Sequence, residues 1–104
     1  MSITIAIDLA KSVFELAVAD ENSTVIERKR LSRAQFMRFF DNRHVDRVVM
    51  EACGTAHHWG RWFAARGVAV SLLPAQYVKA YVRRNKTDRA DASALLEAAK
   101  APDI

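Results

Sequence analysis

Asp8 and Glu51 each follow directly on a short apolar run, residues 3–7 and 48–50, where an acidic side chain carries a desolvation cost that something must offset. Taken singly, each is most simply the solvent-facing mouth of a strand; at matching strand ends they become a pair with chemical potential. Asp88 and Asp91 stand three apart in Lys86-Thr87-Asp88-Arg89-Ala90-Asp91, a spacing that puts both carboxylates on one helix face. In a first helical turn such acids favour the dipole by about 0.3–1 kcal/mol each. They also repel one another, and gathering all four acids requires a bound cation or protonation. Hard oxygen ligands of this kind suit Mg²⁺ or Mn²⁺, and two such ions about 3.5–4 Å apart are a recurrent device for in-line phosphoryl transfer. Lys79, Arg83, Arg84, Lys86 and Arg89 flank the second acid pair and suit a phosphate backbone, although a solvated helix end has the same composition.

The elements that must position these acids follow from the hydrophobic pattern. Ile3, Ile5 and Ile7 alternate with Thr4 and Ala6, giving a strand with Asp8 at its C-terminal end. Residues 13–19 form a second apolar strand, and the polar turn Asp20-Glu21-Asn22-Ser23 leads to a third over 24–30, so the opening is an antiparallel meander. Ser32 and Gln35 match a capping box, Leu31 and Phe36 occupy hydrophobic-staple positions, and Phe36, Phe39 and Phe40 supply the buried stripe of a first helix. A short strand at 48–50 ends in Glu51. A helix over 56–66 follows, with Trp59, Trp62 and Phe63 on its apolar side and Gly67 at C′. Residues 68–73 are the next strand, Pro74 opens a helix carrying Tyr77, Val78, Tyr81 and Val82, and Thr87 caps a last helix ending near Lys100.

This order, β-β-β-α-β-α-β-α-α, implies an α/β domain with a mixed five-stranded sheet and helices on its faces, and it suits an RNase H-like sheet. In that arrangement the fourth strand lies parallel beside the first, so Asp8 and Glu51 come to one edge of the core. With 104 residues, a single domain over 1–104 is expected. Apolar residues make up 51% and charged residues 27%, with only 3 Gly and 2 Pro, which excludes disordered and collagen-like classes. No apolar run approaches the roughly 20 residues of a membrane span, so no membrane partner is expected. A lone Cys53 cannot close an internal disulfide and reads as a small buried hydrophobe. The net charge of +4 is compatible with a polyanionic partner, and seven Lys or Arg fall between Arg28 and Arg47.

The residues Ala6-Ile7-Asp8-Leu9-Ala10-Lys11, Met50-Glu51-Ala52-Cys53-Gly54, Leu73-Pro74 and above all Lys86-Thr87-Asp88-Arg89-Ala90-Asp91-Ala92 resemble, in this order, the DEDD-type insertion-sequence transposases of bacteria and archaea. The resemblance covers nearly the whole chain. It implies a RuvC-like N-terminal domain whose acidic tetrad falls on Asp8, Glu51, Asp88 and Asp91, binding Mg²⁺ or Mn²⁺ for DNA phosphodiester cleavage and strand transfer. It further implies DNA as substrate, a structured guide RNA, a homo-oligomer in the full-length protein and a cytoplasmic, nucleoid-associated setting in a prokaryote. Lys11 and the run from Lys79 to Arg89 become candidates for nucleic-acid contact. Two departures stand out: Ala6 replaces the family's usual Gly, and nothing here matches the family's second, serine-bearing domain, so Ser93 reads as an ordinary helical serine. A catalytically silent fragment that binds nucleic acid or dimerises is the alternative.

Other constellations carry less. His57 and His58 are adjacent, point in different directions on a helix and lack metalloprotease spacing, so zinc binding is not expected. Trp59, Trp62 and Phe63 have helical core spacing rather than that of a base-stacking platform. An actin-like ATPase or sugar-kinase lobe shares the sheet order but cradles phosphate in a Gly-rich turn, and Ala10-Lys11-Ser12 contains no glycine.

Overall fold

The computed structural model describes residues 2–9, 12–74 and 96. Five strands form one mixed sheet: β1 (Thr4–Leu9), β2 (Val13–Ala19), β3 (Val25–Ser32), β4 (Arg47–Glu51) and β5 (Ala69–Leu73), in the spatial order β3-β2-β1-β4-β5. β1, β2 and β3 pair antiparallel, while β4 lies parallel to β1 and β5 parallel to β4. The expected α/β architecture with a five-stranded mixed sheet is present, and the order is compatible with an RNase H-like fold.

Two helices link the strands, α1 (Arg33–Phe39) and α2 (Gly54–Ala65). They cover the face on which Ile5, Ile7, Phe14, Leu16, Val18, Val48 and Met50 project, meeting it with Phe36, Phe40, Ala56, Trp59 and Phe63 in one core. Aromatic rings dominate the seam. Phe14 and Phe36 lie 4.4 Å apart by centroid, Phe36 and Trp59 4.9 Å, and Phe40 and Phe63 4.8 Å, in tilted or edge-on geometries that suit ring quadrupoles. Trp59 and Phe63 are thus core residues, as their spacing implies.

Period-2 alternation sends the intervening side chains to the other face, where Ala6, Ala17, Ala19 and Val49 are fully buried. Leu96, helical and buried, falls within the span expected for the last helix. Pro74 is described, but the helices expected over residues 75–100 otherwise lie outside the described residues.

Local signals explain the element ends. Ser32 Oγ accepts from the Gln35 amide at 3.3 Å while Gln35 Oε1 accepts from the Ser32 amide at 2.9 Å, a complete capping box. At the other end of α2, Gly67 takes φ +78°. Its amide donates to the Ala64 carbonyl at 3.0 Å and that of Val68 to Phe63 at 3.1 Å, a Schellman closure that needs the left-handed residue. In the β2–β3 turn, Asp20 Oδ1 accepts from the amides of Asn22 and Thr24 at 2.9 and 3.0 Å.

Cys53 corrects one expectation. It is exposed rather than buried, because it occupies the N-cap of α2 in extended backbone, with its Sγ 3.4 Å from Thr55 Oγ1. Strand β3 also runs two residues past the expected end, to Ser32, since its pairing with β2 continues to Val13.

Candidate functional site

Asp8 lies one residue inside the end of β1, and Glu51 is the last residue of β4; both are half-buried. The parallel register pairs Ile5 with Val48, Ala6 with Val49 and Ile7 with Met50. Asp8 and Glu51 are the next residues on the two neighbouring strands, just beyond the last of these pairs. In-register residues share a face, so both carboxylates project opposite α1 and α2. The placement of β4 parallel to β1 expected of the RNase H-like arrangement is present, and it puts these two acids at neighbouring strand ends. The end of β4 is fastened by the Ala52 amide donating to the Leu73 carbonyl at 2.8 Å.

The pairing adds an acid that motif reading passes over. Asp8 faces Glu15 of β2 in the antiparallel register, and Glu15 in turn faces Arg30 of β3. The row across the sheet is thus Arg30, Glu15, Asp8, Glu51 and Leu73. Arg30 Nε contacts Glu15 Oε1 at 3.4 Å, which leaves three carboxylates and one guanidinium along four strands. The signal for Glu15 lies in the alternation of Val13 to Ala19: if Phe14, Leu16 and Val18 face the core, Glu15 must share the face of Asp8.

Among the described residues, no group of three or more His, Cys, Asp or Glu side chains is placed to hold a metal ion. Asp8 and Glu51 nevertheless fit what Mg²⁺ takes from a protein in phosphoryl-transfer sites: one or two carboxylates, the remaining positions going to water and substrate phosphate. Asp88 and Asp91, with the nucleic-acid candidates Lys11, Lys79, Arg83, Arg84, Lys86 and Arg89, lie outside the described residues. His57 and His58 are exposed on α2, as expected of residues given to packing or solvent.

A cavity of about 610 Å³ opens at the opposite end of the sheet, lined by Phe40, Arg43, His44, Asp46, Phe63 and Arg66 among others. Its cations are internally matched: Arg43 pairs with Glu27 at 2.9 Å, His44 with Asp46 at 3.0 Å and Arg66 with Asp41 at 3.6 Å. It is remote from the acidic row, which lies at the C-terminal ends of β1 and β4, whereas Asp46 and Val68 precede β4 and β5.

No family model matches the chain. Among curated proteins it is 46% identical over 95 residues to the transposase for insertion sequence element IS1111A of Coxiella burnetii, a match covering 91% of the chain and 26% of that relative. Nearly its whole length is similar to part of an insertion-sequence transposase. A probable family 20 transposase of Pseudomonas aeruginosa is 43% identical over 100 residues, and the transposase for insertion sequence element IS1328 of Yersinia enterocolitica 35% over 100, each match covering 96% of the chain and 30% of the relative. The chain spans roughly three tenths or less of the length of these transposases. Among the described residues, no helix is long and apolar enough to cross a membrane.

Proposed function

We propose that this chain is the RuvC-like catalytic portion of a DEDD-type insertion-sequence transposase, and that Asp8, Glu51, Asp88 and Asp91 form the acidic site at which a DNA phosphodiester is cleaved and transferred. The observation that carries the reading is the position of Asp8 and Glu51 at the C-terminal ends of adjacent parallel strands, in a chain similar to insertion-sequence transposases over nine tenths or more of its length. Bound divalent ions, Mg²⁺ or Mn²⁺, would supply charge neutralisation and Lewis acidity at the scissile phosphate. Asp8 and Glu51 offer hard oxygens from a rigid sheet, which fixes their separation more tightly than a loop would. Glu15 is held by Arg30 at one side of Asp8, so the acid nearest the pair is already engaged by a cation.

DNA is the partner in this reading, and a structured guide RNA, homo-oligomerisation and a nucleoid-associated cytoplasmic setting belong to it as further proposals. Lys11 and the basic run from Lys79 to Arg89 are assigned to backbone contact. The second reading is a fragment that binds DNA or dimerises without cleavage. Nicking of supercoiled or branched DNA in Mg²⁺ or Mn²⁺ separates the two. The first reading expects cleavage by the parent chain that Asp8→Ala and Asp88→Ala each abolish; equal behaviour of all three proteins leaves the silent binder.

A further inference from the structure

We infer that the outer face of α1 and α2 is a second docking surface, which takes the phosphate backbone of a DNA duplex on the side of the sheet away from the acidic row. The inference rests on the DNA partner of the proposed function and not on cleavage. The two helices lie side by side, with Phe36 against Trp59 and Phe40 against Phe63, so their outward residues form one layer. That layer holds no acid: neither Asp nor Glu occurs from Arg28 to Phe40 or from Ala52 to Val68. Arg33 and Arg38 of α1, Arg61 of α2 and Arg66 at its C-cap are all exposed, as are His57 and His58.

Helix stability does not account for this composition. Acids in a first turn favour the macrodipole, yet neither helix has one there, and α1 opens on Arg33 instead. Only Arg38, in the last turn of α1, suits the dipole. A solvated helix face usually alternates charge sign. Here, among the described residues, neither Arg38 nor Arg61 forms an ion pair. Arg66 is shared with Asp41 at 3.6 Å, and its guanidinium lies 3.9 Å over the Trp62 ring, as that of Arg33 lies 5.4 Å over Trp59. Stacking holds a guanidinium by its face and leaves the N–H groups of its edge for phosphate oxygens. The rings also favour a duplex over a single strand. Phe36, Phe40, Trp59 and Phe63 are buried and Arg66 covers a face of the half-buried Trp62, so the helices offer no row of rings for unpaired bases. The acids project from the other face of the sheet, more than a helix diameter of about 10 Å away through the packed core. A duplex on the helices is therefore a different segment from the one at Asp8 and Glu51.

The test is binding of a fluorescent DNA duplex to the 104-residue chain across a salt series. The Arg38→Gln/Arg61→Gln protein is compared with Arg28→Gln/Arg30→Gln, which removes equal charge from exposed positions of β3 on the face of the acidic row. Loss of two phosphate contacts from the helices should weaken binding irrespective of sequence and lower the slope of log affinity against log salt by about 1.8. The β3 pair should change the slope by less than half as much, and Arg38→Lys/Arg61→Lys should keep the parent slope. Equal slopes for the two glutamine pairs, or no change for the helix pair, overturn the proposal. A larger effect of the helix pair on double-stranded RNA or single-stranded DNA than on the DNA duplex also overturns it, in favour of that ligand. Nicking by the parent chain in Mn²⁺ separates the two claims. Nicking with no helix dependence of binding defeats only the docking surface, helix-dependent binding without nicking defeats only the catalytic reading, and a parent that binds no DNA defeats both.

Discussion

Asp46 ties three strands together at the end of the sheet away from the candidate site. Its carboxylate accepts from the Ile3 amide at 2.7 Å and lies 3.0 Å from His44 Nε2, its amide donates to the Ile3 carbonyl, and its carbonyl accepts from the Ala69 amide. The Ile3 hydrogen bond, outweighing desolvation and helped by His44, holds the Asp46 carboxyl below the usual carboxylate range. A lowered folded-state value means that the stabilisation is complete above the unfolded value of about 3.9 and is lost as pH falls through the folded one. Melting temperature against pH should therefore decline in acid for the parent, and Asp46→Asn should flatten part of that decline. At the candidate site, Asp8→Asn and Glu51→Gln should each reduce Mn²⁺-dependent nicking by at least about 10–100-fold, the loss that follows even from removing a metal ligand's supporting partner. Of these residues, Asp8 and Glu51 are legible in sequence because each ends an apolar run. Asp46 is not, since its role comes from strand starts 43 residues apart, and although alternation puts Glu15 on the face of Asp8, that the two stand level is known only from the hairpin register.

Caps set where the elements end, and burial supplies most of their stability. α1 has only seven residues, too few for intrinsic stability, and depends on its capping box and on Phe36. Ser32→Ala should cost about 1 kcal/mol in denaturant unfolding. Phe36→Ala removes a fully buried ring in contact with Phe14, Trp59 and Phe63, and should cost about 3–5 kcal/mol, with the transition remaining cooperative if the fold survives. Gly67→Ala forces a side chain into φ +78° and should cost about 1 kcal/mol although nothing lies within 4 Å of the added methyl, so the penalty is conformational rather than steric crowding by neighbours. These signals are local, which is why the capping box, the staple positions and the C′ glycine can be read from spacing alone. Cys53 could not be placed that way: whether a short polarisable residue after a strand is core or cap depends on where the next helix begins.

At the scale of the molecule, the mixed sheet brings the C-terminal ends of β1 and β4 together with one antiparallel hairpin at their side. Element order alone does not select that parallel pairing, since a meander leaves both β1 and β3 as free edges; the place beside β1 is what the RNase H-like arrangement supplies, with the crossover helix on a face. Small residues at Ala6, Ala17 and Ala19 keep the face of the acidic row low near its middle, while charge gathers where Arg30, Glu15, Asp8 and Glu51 line up. The central claim is that four acids from separate stretches of chain grip divalent metal on this face. Diffraction from crystals grown with Mn²⁺, at a wavelength giving manganese anomalous signal, tests it most directly. The account predicts anomalous density bridging the carboxylates of Asp8 and Glu51 and completed by Asp88 and Asp91; manganese bound elsewhere, with Asp88 and Asp91 turned away from the other two, would contradict it.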